Sequence, residues 1–202
     1  YHYRHRTGVL DPYPADGDYH AGRQDLRFDE RKEEGCQGSR QGSRCTARCT
    51  QSECAEIYTA SYKKLEECGL VYPCFCSRAQ LHAASAPHTS DGNVVYPGTC
   101  RGLTAAEIEE KRKKKAPAYR LMVPDEDITF VDGCMGPHTE NLLHDCGDFY
   151  LRRADGVFAY QLAVVVDDAR MGVTEVVRGS DLLSSTARQL YLYRLLGLQA
   201  PG

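Results

Sequence analysis

The chain has 202 residues and a formal net charge of -3. That length supports one hydrophobic core, or one domain with a tail, and the charge excludes an overall basic surface for nucleic acids. Its ten cysteines are too sparse for a disulfide scaffold, and the sequence shows no signal-like or membrane-length apolar segment. We expect a cytoplasmic monomer with no membrane partner, whose cysteines are thiols or metal ligands.

Residues 1–50 differ in composition from the rest of the chain. Glycine, arginine, serine and threonine crowd residues 35–50. The large aliphatic and phenylalanine side chains of the segment are Val9, Leu10, Leu26 and Phe28. Such a segment buries too little apolar surface to offset the entropy of ordering a chain, so the composition predicts a disordered tail.

The first predicted helix follows Thr50. Thr50 and Glu53 have the spacing of a capping box, and apolar residues recur at helical spacing up to Cys68, with Gly69 placed to end the helix. The pattern predicts one amphipathic helix packed on a core, with its tyrosines as packing residues.

Three cysteines, Cys74, Cys76 and Cys100, flank a polar loop from about residue 83 to residue 95. Thiolates at this spacing can converge on one tetrahedral zinc ion, which would close the loop as a structural staple. The alternative is a set of reduced, partly buried thiols without a metal. By spacing alone, the candidates for a fourth ligand are His82, His88 and Tyr96.

A second helix is predicted from Thr104, which has the capping-box spacing to Glu107. It ends in Lys111-Arg112-Lys113-Lys114-Lys115 before Pro117. Cations at a helix C-terminus complement the helix dipole, which favours a solvated face. The alternative is a patch that contacts nucleic-acid phosphates.

Two strands and a hairpin are predicted next. Residues 118–123 and 128–131 have strand composition, and Asp155-Gly156 marks a hairpin turn. Residues 133–147 are predicted to be a connection, in which His138 and His144 are surface or core-edge residues rather than ligands.

Tyr160 to Leu183 is the stretch around which the chain is organised. The apolar run 162–166 precedes Asp167 and Asp168, and the run 173–177 precedes Arg178. Apolar runs without alternation belong in a buried sheet or in a helix packed on one, and polar groups at their ends are placed for function. Thr186 and Gln189 then have capping-box spacing for a last helix that ends before Gly197.

The residues 159–168 and 177–183, AYQLAVVVDD and VRGSDLL, closely resemble the glutamyl-tRNA synthetase group of class I synthetases. Within that group they are most similar to the glutamyl-Q tRNA(Asp) synthetases, over about residues 51–198. The resemblance implies an α/β fold, the later part of a Rossmann-like class I catalytic domain. It also implies a small zinc-binding insertion at about residues 72–101.

The same resemblance implies ATP-dependent activation of L-glutamate, with magnesium, and transfer of glutamate to queuosine in tRNA(Asp). The matching positions make Tyr160 and Arg178 glutamate-binding residues. The implied zinc ligands are Cys74, Cys76, Tyr96 and Cys100. The basic helix end would then face the tRNA acceptor arm. No catalytic acid or base is assigned, and the roles of Asp167 and Asp168 stay open.

The chain departs from the group at both ends. Residues 1–50 show no His-Ile-Gly-His-type signature, and no KMSKS-type loop follows residue 198. One hypothesis is that residues 1–50 come from a shifted reading frame. Two alternative functions remain: a fragment of a glutamyl-tRNA synthetase, and an inactive zinc-binding remnant without ATP signatures. Against the first stands Tyr160-Gln161-Leu162, where glutamyl-tRNA synthetases usually have Tyr-Asn-Phe.

Overall fold

The computed structural model describes residues 2–4, 51–77, 80–81 and 95–202. These ranges contain four α-helices: α1 (Ala55–Glu67), α2 (Ala105–Lys114), α3 (Tyr160–Arg170) and α4 (Ser185–Leu196). They contain seven strands: β1 (His2–Arg4), β2 (Val71–Cys74), β3 (Ala118–Leu121), β4 (Asp127–Asp132), β5 (Gly136–Asn141), β6 (Phe149–Arg152) and β7 (Glu175–Val177). None of the helices in these ranges is long and apolar enough to cross a membrane.

The segment 1–50, predicted to be disordered or frame-shifted, is described only at β1, which pairs antiparallel with β7. The rest of that segment lies outside the described residues. The loop from residue 83 to residue 94 and the candidate ligands His82 and His88 lie outside them as well.

The main core lies between α1, α3 and α4 and one face of a three-stranded sheet. Tyr58, Tyr62 and Leu65 face it from α1 at the predicted helical spacing, and Leu162 and Leu192 meet them from α3 and α4. Each fully buried leucine contributes about 1.5–3 kcal/mol of hydrophobic stabilisation. Helix packing is therefore what holds the organising stretch in place.

The apolar run 162–166 lies in α3, and every side chain from Leu162 to Asp168 is buried. The helix ends at Arg170, and Gly172, two residues later, has a φ of 65° in the left-handed region. The N–H of Gly172 donates to Ala169 O at 3.2 Å, and the N–H of Val173 to Asp168 O at 2.9 Å. This turn reverses the chain and directs it into β7.

The three-stranded sheet has the order β2-β3-β6, and both pairings are antiparallel. Arg120 on β3 is opposite Tyr72 on β2 and Tyr150 on β6. Residues directly opposite in a sheet point to the same face, and Cys74 follows Tyr72 by two positions. One face therefore gathers Tyr72, Cys74, Arg120 and Tyr150, while the other faces the main core.

The prediction of a plain connection for residues 133–147 is wrong. Strand β5 pairs with β4 in a six-residue register, and Leu142–Cys146 forms a short π-helix. The sequence of β5, GPHTEN, has Thr139 as its single β-branched or aromatic residue, and only Glu140 of the strand is buried, so the composition gave little strand signal.

Of the three capping boxes predicted, one is present, one is absent, and one includes a residue outside the described ranges. The capping box of Thr104 and Glu107 is present, as predicted. Helix α1 begins only at Ala55, after a 3-10 turn over Gln51–Glu53, and Thr50 lies outside the described residues. The capping box predicted for α4 is absent: the helix begins after Ser184, and the side chains of Thr186 and Gln189 bind elsewhere.

Candidate functional site

The three cysteines of the predicted metal site converge. Cys74 is the last residue of β2, and Cys100 arrives on a turn closed by the Arg101 N–H donating to Gly98 O at 2.8 Å. The sulfurs of Cys74, Cys76 and Cys100 all lie within 4.8 Å of one another, and those of Cys76 and Cys100 are 3.6 Å apart. Distant segments thus place three soft ligands around one point.

The Tyr96 phenol oxygen occupies a fourth corner of this cluster. It lies 3.5 Å from Cys74 Sγ and 3.7 Å from Cys76 Sγ, and it accepts a hydrogen bond from the Cys100 N–H at 2.8 Å. With Zn–S near 2.3 Å and Zn–O near 2.0 Å, a tetrahedral zinc site has S–S edges of about 3.8 Å and S–O edges of about 3.5 Å. The donor set and its spacing fit a tetrahedral zinc ion.

Burial and hydrogen bonding shift the pKa values of Cys74 and Cys76 in opposite directions. Burial raises the pKa of Cys74, but hydrogen bonds with Tyr96, the Cys76 backbone and Arg120 outweigh it, so the net pKa is lowered. Burial raises the pKa of Cys76 to about 11. Burial and the neighbouring sulfurs raise the pKa of Tyr96. Hydrogen bonding therefore makes Cys74 the more acidic of these two thiols.

The buried carboxylate of Asp148 fastens the cluster to the sheet. It accepts hydrogen bonds from Tyr72 Oη at 2.5 Å, Arg101 Nη2 at 3.0 Å and the Val123 N–H at 2.9 Å. The preceding residue, Gly147, has φ of 63°, and a Cβ there would lie 2.9 Å from the Tyr96 backbone nitrogen. Close backbone approach at Gly147 lets the Tyr96 loop pack against Asp148.

A second polar cluster surrounds Arg178, just beyond β7. Its guanidinium donates to Thr186 Oγ1 and, at 2.6 Å, to Gln189 Oε1. Gln189 Nε2 donates to Gln161 Oε1 at 3.0 Å, and Gln161 Nε2 donates to Ser185 Oγ at 3.0 Å. The side-chain amides of Gln161 and Gln189 each have one orientation in this series of hydrogen bonds, because the oxygen of each accepts and the nitrogen of each donates. Helices α3 and α4 therefore hold the Arg178 guanidinium in a defined position.

Tyr160 is the first residue of α3 and is 43% exposed. Burial raises the pKa of its phenol, and the Arg178 guanidinium and Gln189 oppose that shift. The two predicted glutamate-binding residues thus act on one another, at a surface reachable from solvent. The arrangement can present a cation and a phenol to one ligand.

Comparison with known proteins decides the family. The family model for class I tRNA synthetases (E and Q), catalytic domain, matches residues 38–202. The chain belongs to this family. It is 54% identical over 153 residues to a glutamyl-Q tRNA(Asp) synthetase of Nitratidesulfovibrio vulgaris, covering 75% of this chain and 47% of the relative. A protein of the same name from Geobacter sulfurreducens is 51% identical over 153 residues, covering 75% and 46%.

Solved structures agree with this class I synthetase assignment. A glutamate tRNA ligase from Elizabethkingia meningosepticum, in complex with its amino acid, superposes with a TM-score of 0.63 at 26% identity. The match covers 77% of this chain and 33% of the ligase. The chain spans about half the length of the curated relatives it matches.

In this synthetase domain, Asp167 and Asp168 turn into the core. Asp167 accepts hydrogen bonds from Tyr58 Oη at 2.7 Å and Gln51 Nε2 at 3.2 Å, and Asp168 accepts one from Tyr193 Oη at 3.5 Å. Of these partners, Tyr58 is on α1, Gln51 precedes α1, and Tyr193 is on α4. The two carboxylates therefore join the helices around α3.

The other predicted polar residues bind side chains or carbonyls of this chain. His138 Nε2 is 3.0 Å from Glu140 Oε1, and the exposed His144 pairs with Asp125 at 3.5 Å. At the end of α2, Lys115 Nζ donates to the carbonyls of Phe75 and Cys76, at 3.1 and 3.2 Å. A phosphate-contacting role for the α2 cations stays a prediction.

Sequence analysis missed four residues of these sites: Arg120, Asp148, Gln161 and Gln189. Each is polar and at least half-buried. Arg120 and Gln189 bind the predicted site residues Cys74 and Arg178 directly, whereas Asp148 and Gln161 act through Arg101 and Gln189. Arg120 in a short apolar strand was the one available signal, because an arginine inside a sheet needs a buried partner.

Proposed function

We propose that the chain acts as a glutamyl-Q tRNA(Asp) synthetase, in which residues 51–202 form the later part of the catalytic domain. Such an enzyme activates L-glutamate with ATP and transfers it to queuosine at the wobble position of tRNA(Asp). The observation that carries the proposal is about half identity, over three quarters of the chain, to relatives of that name. The oriented Arg178 cluster supplies an independent physical argument.

Arg178 is the group we assign to the glutamate side-chain carboxylate. A guanidinium can grip a carboxylate through two parallel hydrogen bonds, and each charge-assisted bond contributes about 1.5–3 kcal/mol. Gln189 accepts from Arg178 Nη1 and Thr186 from Arg178 Nη2, which fixes the orientation of the guanidinium. Tyr160, at the N-terminus of α3, adds a phenol donor beside helix amides that favour an anion.

The chemistry requires alignment more than acid–base catalysis. The glutamate α-carboxylate attacks the α-phosphate of ATP and pyrophosphate leaves. The glutamyl group of the resulting adenylate then passes to the tRNA, and AMP leaves. Because the nucleophile belongs to the substrate, the protein's part is to position the reactants and to stabilise phosphate charge, with magnesium on the phosphates. We assign no catalytic acid or base to the described residues.

The second part of the proposal is a structural zinc ion held by Cys74, Cys76, Cys100 and Tyr96. The spacing of their donor atoms, given above, supports it. A bound zinc ion would tie the end of β2 to the turn that carries Cys100, and would thereby brace the insertion against the sheet.

A charging assay tests the proposed function. The full chain is incubated with radiolabelled glutamate, ATP and magnesium, and with tRNA(Asp) that contains or lacks queuosine. We expect label only on the queuosine-containing tRNA. Label on tRNA(Glu) would instead identify a glutamyl-tRNA synthetase fragment. An inactive remnant would give no label and no glutamate-dependent exchange of pyrophosphate into ATP.

Glutamate binding tests the assigned residue separately from turnover. Arg178→Lys keeps the positive charge but cannot form the two parallel hydrogen bonds of a guanidinium. We therefore expect the affinity for glutamate, measured by calorimetry, to fall about 10- to 100-fold. The matched control is Arg153→Lys, an exposed arginine that pairs with Asp155 at 2.7 Å. Equal affinities in the two variants would remove Arg178 from the proposed site.

A further inference from the structure

Arg120 contacts the cysteine cluster but is not one of its four candidate metal ligands. Its Nε–H donates to Cys74 Sγ at 3.4 Å, and its Nη1 donates to the backbone oxygen of Asp148 at 2.5 Å. The residue is only 4% exposed. A buried guanidinium is expensive unless it is hydrogen-bonded and its charge is balanced nearby.

Two tyrosine rings enclose the Arg120 guanidinium. Its Cζ lies 3.8 Å from the centroid of the Tyr96 ring and 3.7 Å from that of the Tyr150 ring. Tyr150 is the neighbour of Arg120 on β6, and Tyr96 is the residue whose phenol oxygen is the fourth candidate donor. Stacking on planar faces suits guanidinium and not ammonium, so this position selects arginine. The stack also fixes the plane of the Tyr96 ring.

The charges around the cysteine cluster indicate which negative charge balances the Arg120 guanidinium. The nearby Asp148 carboxylate already pairs with Arg101 at 3.0 Å and accepts from Tyr72. A divalent ion bound by three thiolates and the neutral Tyr96 phenol leaves one negative charge uncompensated at a buried site. The Arg120 guanidinium, in contact with one of those sulfurs, supplies the missing positive charge.

We propose that Arg120 is the counter-cation and positioning residue of this metal centre: it stabilises the metal-bound Cys74 sulfur and holds the Tyr96 oxygen at the fourth corner. This inference rests on the proposed zinc site. It makes metal affinity depend on a residue that is not a ligand, as outer partners of metal ligands do in other proteins.

Metal affinity in variants of the full chain tests the proposal. Zinc dissociation constants are measured by competition with a chromophoric chelator, and the absorption bands of the Co²⁺-substituted protein report thiolate ligation and tetrahedral geometry. Arg120→Gln should weaken zinc binding about 10- to 100-fold and shift the Co²⁺ bands. Arg120→Lys, which keeps the charge without the stack, should recover only part of the loss.

Tyr150→Leu provides a second variant that leaves Arg120 and the four ligands unchanged. It removes one ring of the stack, and we expect weaker zinc binding than in the wild type but tighter than in Arg120→Gln. The matched control is Arg152→Gln: Arg152 also lies over aromatic rings, 5.5 Å from Phe158 and 6.0 Å from Tyr62. Its loss should leave zinc affinity unchanged.

Two different outcomes would overturn the proposal, and they are distinguishable. If the wild-type chain binds zinc and both Arg120→Gln and Tyr150→Leu keep its affinity and Co²⁺ spectrum, Arg120 is only a packing residue. If the wild-type chain binds neither zinc nor Co²⁺, the metal centre itself is refuted, and the role of Arg120 with it.

Discussion

Asp148 connects three elements through one carboxylate, so its removal should be costly. Its side chain is 2% exposed and accepts hydrogen bonds from Tyr72, Arg101 and the Val123 N–H. Asp148→Ala removes all three and leaves the Arg101 guanidinium without its carboxylate. The Arg101 side chain is 32% exposed, so water compensates its charge, but the buried Tyr72 hydroxyl and the Val123 N–H each lose an acceptor. Each such loss costs about 1–3 kcal/mol, or about 2–6 kcal/mol for the two together. We expect the free energy of unfolding to fall by about that amount.

Urea unfolding followed by far-ultraviolet circular dichroism measures this loss, since the chain has no tryptophan to report it. Asp148→Asn keeps an acceptor oxygen but not the charge, and should lose about 1–3 kcal/mol. The control is Asp155→Ala, which removes an exposed partner of Arg153 and should cost about 0–1 kcal/mol. A loss for Asp148→Ala no larger than that of the control would refute the reasoning.

Three further predictions concern the metal, the arginine cluster and a buried thiol. A chelator should lower the melting temperature of the zinc-loaded wild-type chain, whereas Cys100→Ser should melt at the lower temperature with or without it. Gln189→Ala should weaken glutamate binding, measured by calorimetry, about 10-fold with little loss of helix content, because Arg178 loses an orienting acceptor. Burial raises the pKa of Cys146 to about 12 from the usual value of about 8.5. The folded state therefore holds this thiol protonated, and its contribution to stability should decline from about pH 8.5 toward pH 12; Cys146→Val should lessen that decline in urea titrations.

Residue type and short-range spacing were enough to predict several elements. The capping box of Thr104 and Glu107 forms as predicted because its hydrogen bonds join residues three positions apart. The helical spacing of Tyr58, Tyr62 and Leu65 correctly identified the buried face of α1. The spacing of the cysteines predicted their convergence. The zinc ligands and the boundary near residue 50 stay predictions.

Where one side chain had two possible hydrogen-bond partners, only the tertiary structure decided which partner it binds. Thr186 and Gln189 have the spacing of a helix cap, yet they bind Arg178, which arrives from β7 with a stronger, charged donor. The sequence likewise left open whether Asp167 faces the ligand or the core, and packing against Tyr58 on α1 turns it inward. The sequence by itself determined the family, helices α1, α2 and α4, and the residue types available for a site, but it left the run 162–166 open between strand and helix. Which side chains meet depends on contacts between residues far apart in the chain, and only packing in the folded state selects among them.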